Sequence, residues 1–114
     1  MLFSFGECLF VESVAMTRSR SSQSDHDATV ERLAKQLEKQ GFNVKADLPG
    51  YKQPPTIDGV RPDIDAKKGN QRKIVEVETP DSVNSARDQK QQQAFEKAAD
   101  RSKNTEFVRK VTSG

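Results

Sequence analysis

Between Arg61 and Thr79 the chain reads RPDIDAKKGNQRKIVEVET, with acidic and apolar residues alternating on either side of one Gly-Asn pair. Alternation at a period of two marks strands, and glycine supplies the positive φ that a tight hairpin needs. The stretch therefore predicts two strands, 59–68 and 72–79, joined at Gly69-Asn70. Successive side chains of a strand point to opposite faces, so Asp63 and Asp65 leave the first strand together, and Glu76 and Glu78 leave the second together. Four carboxylates then share one side of the hairpin, while Val75 and Val77 take the other. Acids gathered beside a core raise one another's pKa unless a cation neutralises them. Mg²⁺ needs one or two carboxylates, completed by waters and substrate phosphates. One reading is thus a metal site; the other is a surface hairpin whose acids pair with Lys67, Lys68, Arg72 and Lys73. The hairpin by itself leaves both open.

The flanking segments alternate in type. His26 to Gln40 reads as a helix, with Asp25 or Asp27 as cap, Val30, Leu33, Ala34 and Leu37 at helical spacing, and Gly41 as the stop. On that helix His26 and Glu31 either overhang the carboxylates or are simply a helix-end histidine and an exposed acid paired with Lys35; the second is the simpler reading. Phe42 to Leu48 alternates as a first strand, and Pro49-Gly50 with Pro54-Pro55 makes the following stretch a loop. Tyr51, the one tyrosine, is a candidate for stacking on a base from that loop, against the plainer reading of an aromatic that packs down. After the hairpin, Thr79 to Ser82 ends the strand and opens a helix of about Ser82 to Ser102. Its apolar residues are Val83, Ala86, Ala94, Phe95, Ala98 and Ala99, and a 100° wheel sets Arg87 and Gln91 within that face and Lys90 at its edge. Thr105 to Val111 closes the chain as a fourth strand. A strand after a crossover helix returns parallel, so the order helix, three strands, helix, strand implies an α/β fold with a mixed central sheet flanked by helices.

Pro62-Asp63 followed, after a 12-residue gap, by Glu76-Val77-Glu78, within the wording ADLPGY, RPDIDA, IVEVET and a Gln-rich helix, resembles the PD-(D/E)XK nuclease superfamily, and within it a group of small archaeal and bacterial hypothetical proteins. The resemblance runs from about His26 to Val111. It implies a restriction-endonuclease-like core and metal-dependent hydrolysis of DNA phosphodiester bonds. Asp63 and Glu76 would hold Mg²⁺ or Mn²⁺ with the Val77 carbonyl, and Glu78 would be a ligand or general base. The superfamily's usual lysine is an acid here, Glu78. In several branches a lysine from the next helix takes its place and a glutamine there lines the cleft, which points to Lys90 and Gln91, with Arg87 as a phosphate partner. The other class of function is a catalytically silent module that keeps the fold and binds nucleic acid or a protein.

At 114 residues and 32% hydrophobic content the chain makes one thin-cored domain, for which a homodimer is a natural way to cover apolar surface. A net charge of +2 does not single out a nucleic-acid binder. With one cysteine there is no internal disulfide, and no Cys/His spacing fits zinc; a cytoplasmic setting is expected. Residues 1–15 are apolar but too short to span a bilayer and lack the basic start of a signal, although a signal-like segment is the alternative. The domain is therefore expected over 26–114, with 1–25 a disordered arm or an extension ahead of a start at Met16, and Thr17 to Ser24 mobile. No membrane partner is expected.

Overall fold

The computed structural model describes residues 20–83 and 85–112; the expectations for residues 1–19, including the Met16 start, lie outside them. Two helices and four strands follow in the order α1 (Arg20–Lys39), β1 (Asn43–Ala46), β2 (Ile64–Lys68), β3 (Gln71–Glu78), α2 (Ala86–Asp100) and β4 (Thr105–Val111). The strands form one sheet in the order β1-β2-β3-β4. The first two pairings are antiparallel and the last is parallel, so α2 is the crossover that parallel neighbours require. This is the mixed α/β sheet that the order of elements implied.

Each helix covers one face. Val30, Ala34 and Leu37 of α1 pack with Val44, Ala46, Ile64, Ala66, Val75 and Val77; Ala94, Phe95 and Ala98 of α2 pack with Ile74 and with Ile57 from the loop before β2. Phe95 meets Phe107 of β4 in a tilted ring contact at 5.6 Å. Val75 and Val77 thus face α1, and alternation turns Glu76 and Glu78 toward α2. Because β3 has a strand on each side and a helix on each face, its last five residues are all buried.

Three boundaries differ from those the sequence implied. Arg20 to Ser24 is helical, because α1 extends toward its N-terminus with Gln23 donating to Asp27 one turn on (2.9 Å), and lengthening an existing helix costs little once it has nucleated. The N-cap of α2 is Ser85, whose side chain accepts from the Asp88 N–H; Ser82 instead closes a turn back onto Thr79. Finally, β2 starts at Ile64. Asp58 and Gly59, with φ of 52° and 80°, make a tight turn of the kind with two positive φ values, bridging Ile57 to Val60, and Pro62 has no N–H for a ladder.

Asp65 and Arg72 lock the hairpin register. Arg72 donates to both carboxylate oxygens, at 3.0 and 2.6 Å, and the bond to Asp65 raises the Arg72 pKa. Arg72→Ala is expected to cost about 2–3 kcal/mol in urea unfolding, at the low side of what stranding one partner of a buried pair costs, because the guanidinium side chain is 27% exposed. Arg72→Lys should recover only part of that, since an ammonium does not form the two-pronged bond. Unchanged stability in Arg72→Ala would mean that the pair is solvated and does not hold the register.

Candidate active site

Asp63 lies in a bend one residue before β2, where the regular ladder to β3 has ended. Its side chain supplies the acceptor there: Oδ2 accepts the Val77 N–H at 2.8 Å. The Asp63 carbonyl accepts the Asp47 N–H at 2.9 Å, and the Asp63 N–H donates to Glu76 Oε1 at 3.3 Å. From α1, His26 Nε2 comes to 3.2 Å from Asp63 Oδ2, while its Nδ1 is 3.0 Å from Asp27 Oδ1. A carboxylate at each ring nitrogen is satisfied from both sides only when the imidazole carries both N–H groups. His26 is 7% exposed, so the overhanging position of the histidine is the one the fold adopts. Glu31 follows the plainer reading and pairs with Lys35 at 3.2 Å.

The four acids do not share one face. Asp65 points to the α2 side but is engaged by Arg72, and Asp63, lying before the strand, comes in from the sheet end. Glu76, Glu78 and Asp63 form the cluster that results. Glu76 is 4% exposed, and its pKa is pushed up to about 10, first by burial, then by the charge of Asp63 and by hydrogen bonding and charge from Glu78. Glu78, 2% exposed, accepts from Ser82 Oγ at 2.8 Å, within a knot in which Thr79 Oγ1 also donates to Asp81. Glu78 also hydrogen-bonds to Glu76, and both are shut away from bulk water.

The basic candidates gather in a groove of their own, joined to the acids through Asp47, whose N–H bonds the Asp63 carbonyl, and through Arg61, two residues before Asp63. Arg87, Lys90 and Gln91 of α2 line a groove of about 340 Å³ with Asp47, Gly59, Val60 and Arg61. Arg87 and Lys90 are exposed and Gln91 is half-buried, so the expected inward turn of Arg87 is corrected: the residue of that helical turn that faces the sheet is Asp88, bonded to Arg109 of β4 at 2.7 Å. Asp88 lies seven residues before Phe95, two turns along the same face, and that spacing was the available signal. Arg61 was also missed; it directly precedes the Pro-Asp pair, and its guanidinium is held by the Pro54 carbonyl. Tyr51 is not brought to this groove. It packs against the α1 cluster, with its hydroxyl donating to Glu38 at 3.2 Å, and the Glu38 position is 12 residues along α1 from His26, about 18 Å of helix rise.

The donors fit a hard divalent cation in kind. Asp63 and Glu76 supply two carboxylates, and Val77 supplies a carbonyl that faces β2 opposite Pro62 by the strand register, where the ladder provides no N–H. Without a cation, the cluster relieves its charge by keeping a proton on Glu76. No group of three or more His, Cys, Asp or Glu side chains among the described residues stands ready to hold a metal, and Mg²⁺ sites completed by water and phosphate do not need one.

Because the folded-state pKa of Glu76 lies above its ordinary 4.5, the folded protein holds a proton that the unfolded chain releases. Its contribution to stability is full below about pH 4.5 and is lost as pH rises toward 10, at up to about 1.4 kcal/mol per pH unit. In metal-free buffer Glu76→Gln should therefore gain on the parent protein progressively with pH, with a larger advantage at pH 9 than at pH 5 in denaturant melts. An advantage that does not grow with pH would show that Glu76 is not carrying the buried proton.

No protein-family model matches the chain, and no curated protein matches it.

Proposed function

We propose that this protein is a metal-dependent nuclease that hydrolyses DNA phosphodiester bonds on a restriction-endonuclease-like core. The observation that carries this reading is a buried carboxylate pair, Asp63 and Glu76, two residues on from Arg61, which lines a groove with Asp47, Arg87 and Lys90, while Asp88 of the same helix turn bonds Arg109, the β4 neighbour of Glu76. A groove with three cations offers a path for a phosphate backbone, and the acids beside it supply hard oxygen ligands. The order helix, three antiparallel strands, helix and parallel strand supports the same core.

In this reading Asp63, Glu76 and the Val77 carbonyl hold Mg²⁺ or Mn²⁺. When bound, such an ion polarises a phosphate oxygen and lowers the pKa of an attacking water. Asp63 is oriented for this by the Val77 N–H and His26, and Glu76 by its hydrogen bond with Glu78. Lys90 takes the place of the superfamily lysine and offsets the charge that develops on the phosphate, Arg87 and Arg61 grip the flanking backbone, and Gln91 lines the floor.

One observation favours a second reading, a catalytically silent module that keeps the fold. Glu78 stands at the superfamily's lysine position and is tied to Ser82 in a buried turn, which is a structural use of that position.

Two measurements separate the readings. Millimolar Mn²⁺ or Mg²⁺ should raise the melting temperature by mass action, and Asp63→Ala should abolish the rise. With linear, nicked and branched DNA as substrates, the purified protein should cleave at least one, and Lys90→Ala should lower the rate by roughly 10²-fold, the scale of losing one electrostatic stabiliser, with the metal-induced rise intact. Cleavage that persists in Asp63→Ala is contamination. A metal-induced rise without any cleavage would select the silent module, and no response to metal would remove the hydrolytic reading.

A further inference from the structure

The sheet ends on one side at β1, four residues long, and on the other at β4, seven residues long. Among the described residues no strand pairs with the outer side of β4. A long edge strand is a template for another strand unless proline, a bulge, a cover or unmatched charge, lysine above all, blunts it; in β4 the charges are Glu106, Arg109 and Lys110, so a partner must match them. β4 contains no proline and runs in uninterrupted register with β3 from Thr105 to Val111. At its far end Val111 is 40% exposed, the one large exposed hydrophobic among the described residues.

The direction of the free main-chain groups follows from two bonds to β3. Arg72 N–H donates to the Asn104 carbonyl at 2.8 Å, and Thr112 N–H donates to the Glu78 carbonyl at 2.8 Å. Asn104 and Thr112, which flank β4 at its two ends, are both even-numbered. Alternation therefore turns the main-chain groups of Phe107, Arg109 and Val111 outward, and with them the Thr105 carbonyl. The side chains divide in the same way: Phe107 packs toward α2, and Val108 toward α1, so Glu106 and Lys110 share the α1 face with Val108.

We propose that β4 pairs antiparallel with β4 of a second copy of this chain, about a two-fold axis at Val108, to give a continuous eight-stranded sheet. In that register Glu106 lies opposite the Lys110 of the other copy, twice, and Phe107 and Arg109 form the main-chain bonded pairs, followed by Thr105 and Val111. Opposite charges directly across an antiparallel pair attract, and like charges repel. Charge is what selects the register. An axis at Arg109 sets arginine against arginine, an axis at Lys110 sets lysine against lysine, and an axis at Phe107 leaves Glu106 facing Val108. The present neighbour of Glu106, Lys73, is 3.9 Å away, and the Glu106 side chain is 64% exposed, a solvated contact of little worth. On the α1 face that helix packs mainly over β1, β2 and β3, and its Asp25 and Arg32 share a pocket with Lys110 and Val111 at the end of β4. The interface is isologous, the same strand on both copies, as a closed two-fold dimer requires.

Sedimentation equilibrium of the full chain should return twice the 12.7 kDa chain mass. Glu106→Lys and Lys110→Glu should each raise the dimer dissociation constant by roughly tenfold or more, since each replaces two attractive pairs by two repulsive ones. The double exchange, Glu106→Lys with Lys110→Glu, should restore association, while melts show that every variant is folded. In hydrogen exchange, the amides of Phe107, Arg109 and Val111 should slow as protein concentration rises. A monomer at every concentration would overturn the proposal, and so would a dimer indifferent to both charge changes or a dimer whose outward β4 amides exchange as in the monomer. None of these readouts involves metal or DNA, so the result stands apart from the catalytic reading.

Discussion

A central strand with neighbours on both sides and helices on both faces leaves its side chains little water, and β3 carries two glutamates among its five buried residues. Buried polar groups must be bonded or neutralised, and the surrounding structure meets that demand residue by residue. Glu76 keeps a proton against Asp63 and Glu78. Glu78 takes the Ser82 hydroxyl. Asp63 accepts the Val77 N–H just beyond the regular ladder between β2 and β3, and it draws His26 of α1 onto the end of the sheet. One aspartate thus connects the first helix, the end of β1 through the Asp47 N–H, and the central strand.

The covalent path then decides what lies near these acids. β3 ends at Glu78 and α2 begins at Ala86, with seven residues between them, so the first turns of the crossover helix sit close to the acidic end of the strand. Those turns carry Arg87, Lys90 and Gln91. A parallel fourth strand needs this crossover, and the topology itself therefore sets a basic groove beside a carboxylate cluster. The same topology leaves β4 at the edge, where its charges are ordered in a self-complementary way. Catalysis and self-association, as proposed, use opposite consequences of one connection: the helix start lies by the acids, and the strand it delivers lies at the rim.

The local elements were legible in the sequence because their signals are local. Period-two alternation through Ile64 to Glu78, Gly69 at the turn, and the Val30, Ala34, Leu37 stripe fixed strands, hairpin and helix face, and they turned Val75 and Val77 away from Glu76 and Glu78 correctly. Asp63 beside Glu76 was also foreseeable from that pattern. Its orientation was not, since Pro62 and the Asp58-Gly59 turn end β2 early and move Asp63 from a strand face to the plane of the sheet.

What tertiary structure alone decided was the pairing of charges between distant segments. Asp65 belongs to Arg72, Asp88 to Arg109, His26 to Asp63, and Arg61 to the groove with Lys90; no periodicity announces these partners, because each depends on which strand lies next to which. The wheel for α2 averaged over the helix and turned Arg87 inward, whereas the one position that faces β4 in that turn is occupied by Asp88, which finds a guanidinium there. The sequence by itself determined where acids, cations and apolar stripes lie along each element. The fold decided which of them meet, because burial removes water as an alternative partner and leaves each buried charge only the groups that the packing brings within reach.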